Sequence, residues 1–168
     1  MSDYLENIFS LKNKTALITG GSKGIGAGIV SAFINAGANV VSLSRSKPIL
    51  EEQDSLSYYQ CDISDLVEFE RICKLVDCQY GGIDILVNAA GISLSSESFD
   101  NKFERFNKTL LINLVATYQC CEVASKFMHH NSSIINITSI GSMLGFPENP
   151  GYVASKGGVM ALTKSLAM

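Results

Sequence analysis

Short runs of β-branched and apolar residues alternate with stretches whose apolar positions recur every three or four residues, and the alternation continues along the whole chain. "TALIT" (15–19), "NVVSLS" (39–44), "SYYQC" (57–61), "IDILVN" (83–88) and "SIINIT" (133–138) predict strands. Between the first two lies "IGAGIVSAFINAG", where Ile25, Ile29, Ala32, Phe33 and Ala36 fall at helical spacing and Gly37 supplies the stop. "DLVEFERICKLVDCQYG" predicts a second helix, with Ser64 as its N-cap and Gly81-Gly82 ending it. A long helical region is expected around 101–129, and another helix carries "YVASKGGVMALTKSLAM". The fourth and fifth strands are near-continuous apolar runs, the pattern of parallel strands covered on both faces. Strand and helix in alternation, joined by right-handed crossovers, give a doubly wound α/β parallel sheet with helices on both faces.

Composition narrows this picture only slightly. A chain of 168 residues with 46% hydrophobic and 17% charged residues suits one packed domain, here 1–168, without linker or repeat. Net charge is −3, so no basic face invites nucleic acid or an anionic membrane. No apolar run approaches the ~20 residues of a membrane span, and "MSDYLENIFSLKNK" lacks the basic-then-apolar order of a signal peptide. A cytoplasmic protein is expected. The five cysteines, Cys61, Cys73, Cys78, Cys120 and Cys121, form no C-x-x-C pair and read as reduced, largely buried thiols. His129 and His130 read as a solvated helix C-terminus, and no metal site is expected.

Chemistry enters at the first strand-to-helix turn. Gly20, Gly24 and Gly26 stand in the order Thr-Gly-x-x-x-Gly-x-Gly. Glycine there lets the backbone approach a pyrophosphate, while the helix N-terminus presents free N–H groups and the positive end of its dipole. A carboxylate ending the second strand would bind the ribose hydroxyls of NAD and repel a 2′-phosphate. This chain has Ser44 there, followed by Arg45, with Lys23 inside the glycine loop. Two cations and no carboxylate favour NADP(H) over NAD(H). Near the end, Tyr152 and Lys156 are four residues apart and share one helical face. A phenol has a pKa of about 10. A cation about 4 Å away, worth on the order of 4 kcal/mol at an effective dielectric of about 20, would lower that value, and burial would oppose it.

The ordered set of motifs resembles the short-chain dehydrogenases/reductases. Residues 19–26 match their T-G-x-x-x-G-I-G loop, "CDISD" their segment after the third strand, and "NAAG" (88–91) the end of their fourth strand. Asn113 in "LLINLVAT", Ser139, Tyr152 and Lys156 follow in the family's order, so the resemblance covers about residues 10–168. It implies a Rossmann-type fold and a cofactor held by Gly20, Ser22, Lys23, Gly24, Ile25, Gly26, Arg45, Asp62, Ile63, Asn88, Ala90, Gly91, Tyr152 and Lys156. It implies Tyr152 as general acid/base, Lys156 as the cation beside it and on the nicotinamide ribose, Ser139 on the substrate oxygen, and Asn113 holding a relay water. Ser142 competes for the role of Ser139, which could also be a turn cap. The reaction implied interconverts a ketone and a secondary alcohol, acting on a small carbonyl or alcohol substrate. Resemblance is about equal to 3-oxoacyl-thioester reductases, gluconate 5-dehydrogenase-like enzymes and tropinone-reductase-like enzymes. Family members commonly form homo-dimers or tetramers. They also continue past this chain's last residue, which is read as a cut that removes the usual last two strands and leaves the fifth strand as a sheet edge. The rival reading is a non-catalytic NADP(H)-binding or interaction module.

Overall fold

A computed structural model describes residues 8–47, 54–94 and 101–168. Its elements run β1 (Thr15–Thr19), α1 (Gly24–Asn35), β2 (Asn39–Ser44), β3 (Leu56–Gln60), α2 (Leu66–Tyr80), β4 (Ile83–Asn88), α3 (Lys102–Leu110), a π-helical turn (Leu111–Val115), α4 (Ala116–Ser125), β5 (Met128–Asn136), a 3-10 turn (Ile140–Ser142) and α5 (Pro150–Leu166). The strands form one five-stranded sheet in the order β3-β2-β1-β4-β5, and every pairing is parallel.

Alternation of side chains along β1 divides the core. Leu17 points to one face, where it joins Leu43, Phe69, Ile72, Ile112, Ala116 and Cys120 from β2, α2 and the long helix. Ala16 and Ile18 point to the other, joining Val30 of α1, Val40 and Val87. This two-sided burial makes the middle positions of the central strands largely apolar, and the parallel pairing leaves all strand C-termini at one rim. The sheet order reverses direction between β1 and β4, so a crevice opens there.

Several sequence expectations are corrected. The N-cap of α2 is Asp65, whose carboxylate accepts from Glu68 N–H; Ser64 instead donates both N–H and hydroxyl to Asp62. The helical region expected over 101–129 contains a π-helical turn and stops at Ser125. His129 and His130 lie in β5 rather than at a helix end, and the His129 imidazole is hydrogen-bonded to Gly81 O. Strand β5 is also not covered on both faces. Among the described residues it pairs with β4 alone, alternates between partly buried and exposed positions, and leaves Ile135 42% exposed. The thiols match expectation in being unpaired, with Cys61, Cys73, Cys120 and Cys121 buried and Cys78 exposed.

Asp84, early in β4, pins the start of β1. One carboxylate oxygen accepts from Lys14 Nζ at 2.8 Å and the other from Thr15 N–H at 2.9 Å. Partial burial pushes this carboxyl up, but the Lys14 ammonium, the Thr15 N–H and the more distant His129 together hold it below the ordinary aspartate range. A depressed carboxylate stabilises the fold above the unfolded aspartate pKa of about 3.9, and that contribution fades as pH falls through the folded value. Asp84→Asn is therefore expected to cost about 1 kcal/mol at pH 7, discounted for the half-exposed lysine. The difference from wild type should vanish in acid when both proteins are unfolded in urea across pH. A gap independent of pH would exclude the ionic origin. Gly28 is helical with open space around its Cβ position. Gly28→Ala should raise stability by about 0.5–1 kcal/mol in the same assay.

Candidate active site

The reversal point holds a cleft of about 420 Å³. Its floor is the turn from β1 into α1, where three glycines meet steric demands that differ. Gly20 has φ 72°, and a Cβ there would lie 2.7 Å from Ala90 backbone. A Cβ on Gly26 would lie 2.2 Å from Gly20 O, so helix and turn are in backbone contact. Gly24 has φ 58° but open space, so it answers to conformation alone. The Lys23 side chain makes no cap on α1, and the first turn holds no acidic residue. The helix N-terminus thus meets the cleft without a protein acceptor on its first N–H groups, which fits a pyrophosphate.

Of the residues implied to hold the cofactor, Gly20, Ser22, Lys23, Gly24, Ile25, Gly26, Arg45, Asp62, Ile63, Ala90 and Gly91 all line this cleft. Asn88, Tyr152 and Lys156 do not; Asn88 is buried behind the wall, its amide donating to Asn136 Oδ1 at 2.9 Å and to Cys121 Sγ at 3.3 Å. The Asn88 Oδ1 has no hydrogen-bond partner among the described residues. At the end of β2, Ser44 is buried and its hydroxyl turns back to Ser46 O at 2.8 Å. Tyr58 OH donates to the main-chain oxygens of Ser44 and Ser46 and holds this corner in shape. Arg45 and Lys23 are exposed at the cleft. Burial pushes the Asp62 carboxyl up, but the Ser64 N–H and hydroxyl, with Arg45 and Lys108 nearby, bring it below its usual value.

The other group of residues comes together around α5. Lys156 is buried, 6% exposed, and Nζ donates to Ile137 O at 2.7 Å just beyond β5. The same Nζ stands 5.9 Å from the centroid of the Tyr152 ring. Desolvation pushes the ammonium pKa down. Asn113 is fully buried in the π-helical turn. Its Oδ1 accepts from Ile92 N–H at 2.7 Å, and its Nδ2 donates to Ile92 O at 2.8 Å and Ser155 Oγ at 3.1 Å. Gly91 lies between the two groups: a Cβ there would be 3.3 Å from Asn113 Oδ1 and 3.6 Å from Lys156 Nζ. Ser139 caps the 3-10 turn, its Oγ accepting from Gly141 N–H at 3.1 Å. Its hydroxyl proton finds no protein acceptor among the described residues. Ser142, the competitor, donates its hydroxyl to Ser139 O at 2.7 Å and so supports the turn.

Sequence reasoning missed part of the cleft wall. Leu43, Ser46, Cys61, Ala89, Ile92 and Ile112 also line it, and Thr19 Oγ1 accepts from Ala90 N–H at 3.2 Å, tying the glycine turn to the end of β4. The Thr preceding the first glycine was a readable signal; the apolar residues carried none, since core and cleft aliphatics look alike in sequence. Burial, with Glu68, Asp65 and Asp62 nearby, pushes the Cys61 thiol up to about 11, which makes it an inert wall rather than a nucleophile. Among the described residues no cluster of His, Cys, Asp and Glu is placed to hold a metal ion. None of their helices is long and apolar enough to cross a membrane.

Comparison with known proteins agrees with this geometry. Residues 14–168 match the family described as short chain dehydrogenase. The chain is 37% identical over 170 residues to the 3alpha-hydroxysteroid dehydrogenase of Mediterraneibacter gnavus, covering 94% of this chain and 68% of that protein. It is 30% identical over 169 residues to the D-threitol dehydrogenase of Mycolicibacterium smegmatis, covering 95% and 65%. The ligand-free aldohexose dehydrogenase of Thermoplasma acidophilum superposes with a TM-score of 0.86 at 29% identity, over 94% of this chain and 61% of that one. The chain thus spans about two-thirds of the length of these relatives. With its glycine turn, its reversal-point cleft and its Tyr-Lys helix in one frame, the chain belongs to the short-chain dehydrogenases/reductases, a family of NAD(P)(H)-dependent oxidoreductases.

Proposed function

We propose that this chain prefers NADP(H) and interconverts a ketone and a secondary alcohol, with Tyr152 as the general acid/base. The observation that carries the reading is the buried Lys156 amine, fixed on Ile137 O, 5.9 Å from the centroid of the Tyr152 ring and next to Gly91 of the cleft wall. The glycine turn and the N-terminus of α1 would hold the pyrophosphate, and Asp62 and Ile63 the adenine side. A bound nicotinamide supplies or accepts the hydride. The chain's own residues handle the proton and the oxygen.

Ser139 has a hydroxyl proton to give to a substrate oxygen, and the bond from Gly141 N–H keeps it oriented. Tyr152 donates a proton to the same oxygen in reduction and takes it back in oxidation. Lys156, fixed by Ile137 O, presents its positive charge near the ring where phenolate character develops. Asn113 has its side chain committed to Ile92 and Ser155, so its part in a proton relay would fall to its main-chain oxygen, which already accepts from Thr117 Oγ1 at 2.9 Å. Positioning is its principal contribution. Arg45 and Lys23, exposed at the ribose end beside a serine rather than a carboxylate, support the choice of a 2′-phosphorylated cofactor. Leu111, Val115 and Tyr118, exposed along the π-helical turn and α4, offer an apolar stripe for self-association.

Tyr152→Phe is expected to lower carbonyl reduction by about 10²–10⁴-fold while NADPH affinity, read from cofactor fluorescence, stays unchanged. Turnover that survives this change removes Tyr152 from the chemistry. Arg45→Ala should weaken NADPH binding about tenfold and leave NADH binding as it was. Equal losses for both cofactors would defeat the NADP(H) preference.

A further inference from the structure

A second cavity, of about 370 Å³, opens between the N-terminal ends of α3 and α5, and it shares no lining residue with the cofactor cleft. Ser139, Tyr152 and Lys156 do not line it either, so the proposed reaction does not account for it. The two helices meet closely beside it: a Cβ on Gly151 would lie 3.2 Å from Phe106 Cα and 3.4 Å from Cδ2 of its ring. Phe103, Phe106 and Pro150 form the apolar wall. Phe103, in the first turn of α3, is 80% exposed. An apolar wall around a few hundred cubic ångströms is the ordinary setting for a small organic ligand.

The ionic groups on this wall are of one sign. Lys102 and Arg105 line the cavity, and among the described residues no carboxylate does. Lys102 makes no hydrogen bond or ion pair with the described residues. Arg105 gives one N–H to Glu148 O at 3.2 Å, which leaves further donors on its guanidinium fork. Glu104, the acidic residue in the first turn of α3, lines a separate groove with Asn107 and Leu111. The first turn of α5 holds no acidic residue. Each ligand class meets this wall differently. A neutral apolar molecule would use the rings alone and leave both cations without a partner. A small hydrophilic anion would use the cations alone and cover none of the rings. A carboxylate on a hydrocarbon body would take charge-assisted hydrogen bonds from Arg105 and Lys102 while its body covers Phe103 and Phe106.

We infer that the cavity between α3 and α5 is a second ligand site, distinct from the cofactor cleft, for a small amphiphilic carboxylate whose charge is met by Lys102 and Arg105. The test is titration calorimetry on the whole chain with two probes of one shape, 2-naphthoate and the neutral 2-naphthamide. Naphthoate should bind about tenfold more tightly than the amide. Lys102→Gln and Arg105→Gln should each weaken naphthoate about tenfold and leave the amide as it was. Phe103→Ser should weaken both probes. Lys102 has no partner among the described residues to lose, so Lys102→Gln keeps the comparison valid if Arg105→Gln loosens the turn at Glu148. An unchanged midpoint of urea unfolding reports that each variant is folded. Naphthoate affinity should also be the same with and without NADPH, whatever the chain's turnover. Equal affinities for the two probes, or naphthoate binding untouched by both charge substitutions, would overturn the inference. So would displacement of naphthoate by NADPH, which places the probe in the cofactor cleft. Naphthoate that binds only as the chain dissociates, followed by sedimentation, would make the cavity a contact between copies and overturn it too.

Discussion

A buried carboxamide must find partners for its oxygen and its N–H groups or lose the free energy of their hydration. Asn113 solves this by bracketing Ile92, one bond to the N–H and one from its own Nδ2 to the oxygen, and by donating again to Ser155 Oγ. Three parts of the chain are held at one point: the segment leaving β4, the long helix and α5. Ser155 passes the constraint on, donating to Tyr152 O at 2.7 Å, and Lys156 is its sequence neighbour. The π-helical turn at Leu111–Val115 is where the long helix departs from regular geometry, and Asn113 is at its centre. Such turns often accompany functional sites.

A second polar chain supports the far side of the site. Asn88 reaches Asn136 across the β4–β5 pairing, and Asn136 Nδ2 donates to Thr163 Oγ1 at 3.0 Å on α5. The sheet rim and α5 are therefore joined at both ends of the helix, by Asn113 through Ser155 and by Asn136 through Thr163. Between these ties lie the Lys156 amine and the Ile137 oxygen that receives it. Rigid placement of a buried cation matters because low dielectric magnifies both its attraction for developing negative charge and the cost of misplacing it.

The glycine turn combines close backbone contact with polar bonding, Thr19 Oγ1 accepting from Ala90 N–H and Gly20 N–H donating to Leu43 O. Gly26 touches Gly20 O, and Gly20 faces the backbone of Ala90, so the turn, α1 and the end of β4 are as close as main chain allows. A side chain at either position would have to push backbone apart. Glycine spacing at residues 19–26 is therefore informative in the sequence alone: only glycine meets the demand, and it leaves a mark there.

Element types and order, the glycine turn, the Tyr-Lys face and the C-terminal glycine of α2 were all determined by the sequence alone, because periodicity, φ preference and helical spacing are local. Only the tertiary structure decided the rest. Asp65 rather than Ser64 caps α2 because Ser64 is drawn to Asp62, a competition between near-equal neighbours that pattern cannot rank. His129 and His130 fell to β5 because pairing with β4 begins at Met128, opposite Ile83. The edge position expected for β5 matches the sheet order, but its apolar run read as covered on both faces and is not, since exposure depends on what packs on a strand and not on its composition. Asn113 was expected as a site residue from its motif, but its bonds to Ile92 and Ser155 join positions 21 and 42 residues away in the chain. Long-range hydrogen bonds of that kind leave no local signature, and so it is packing that turned a recognisable set of motifs into a site with a shape.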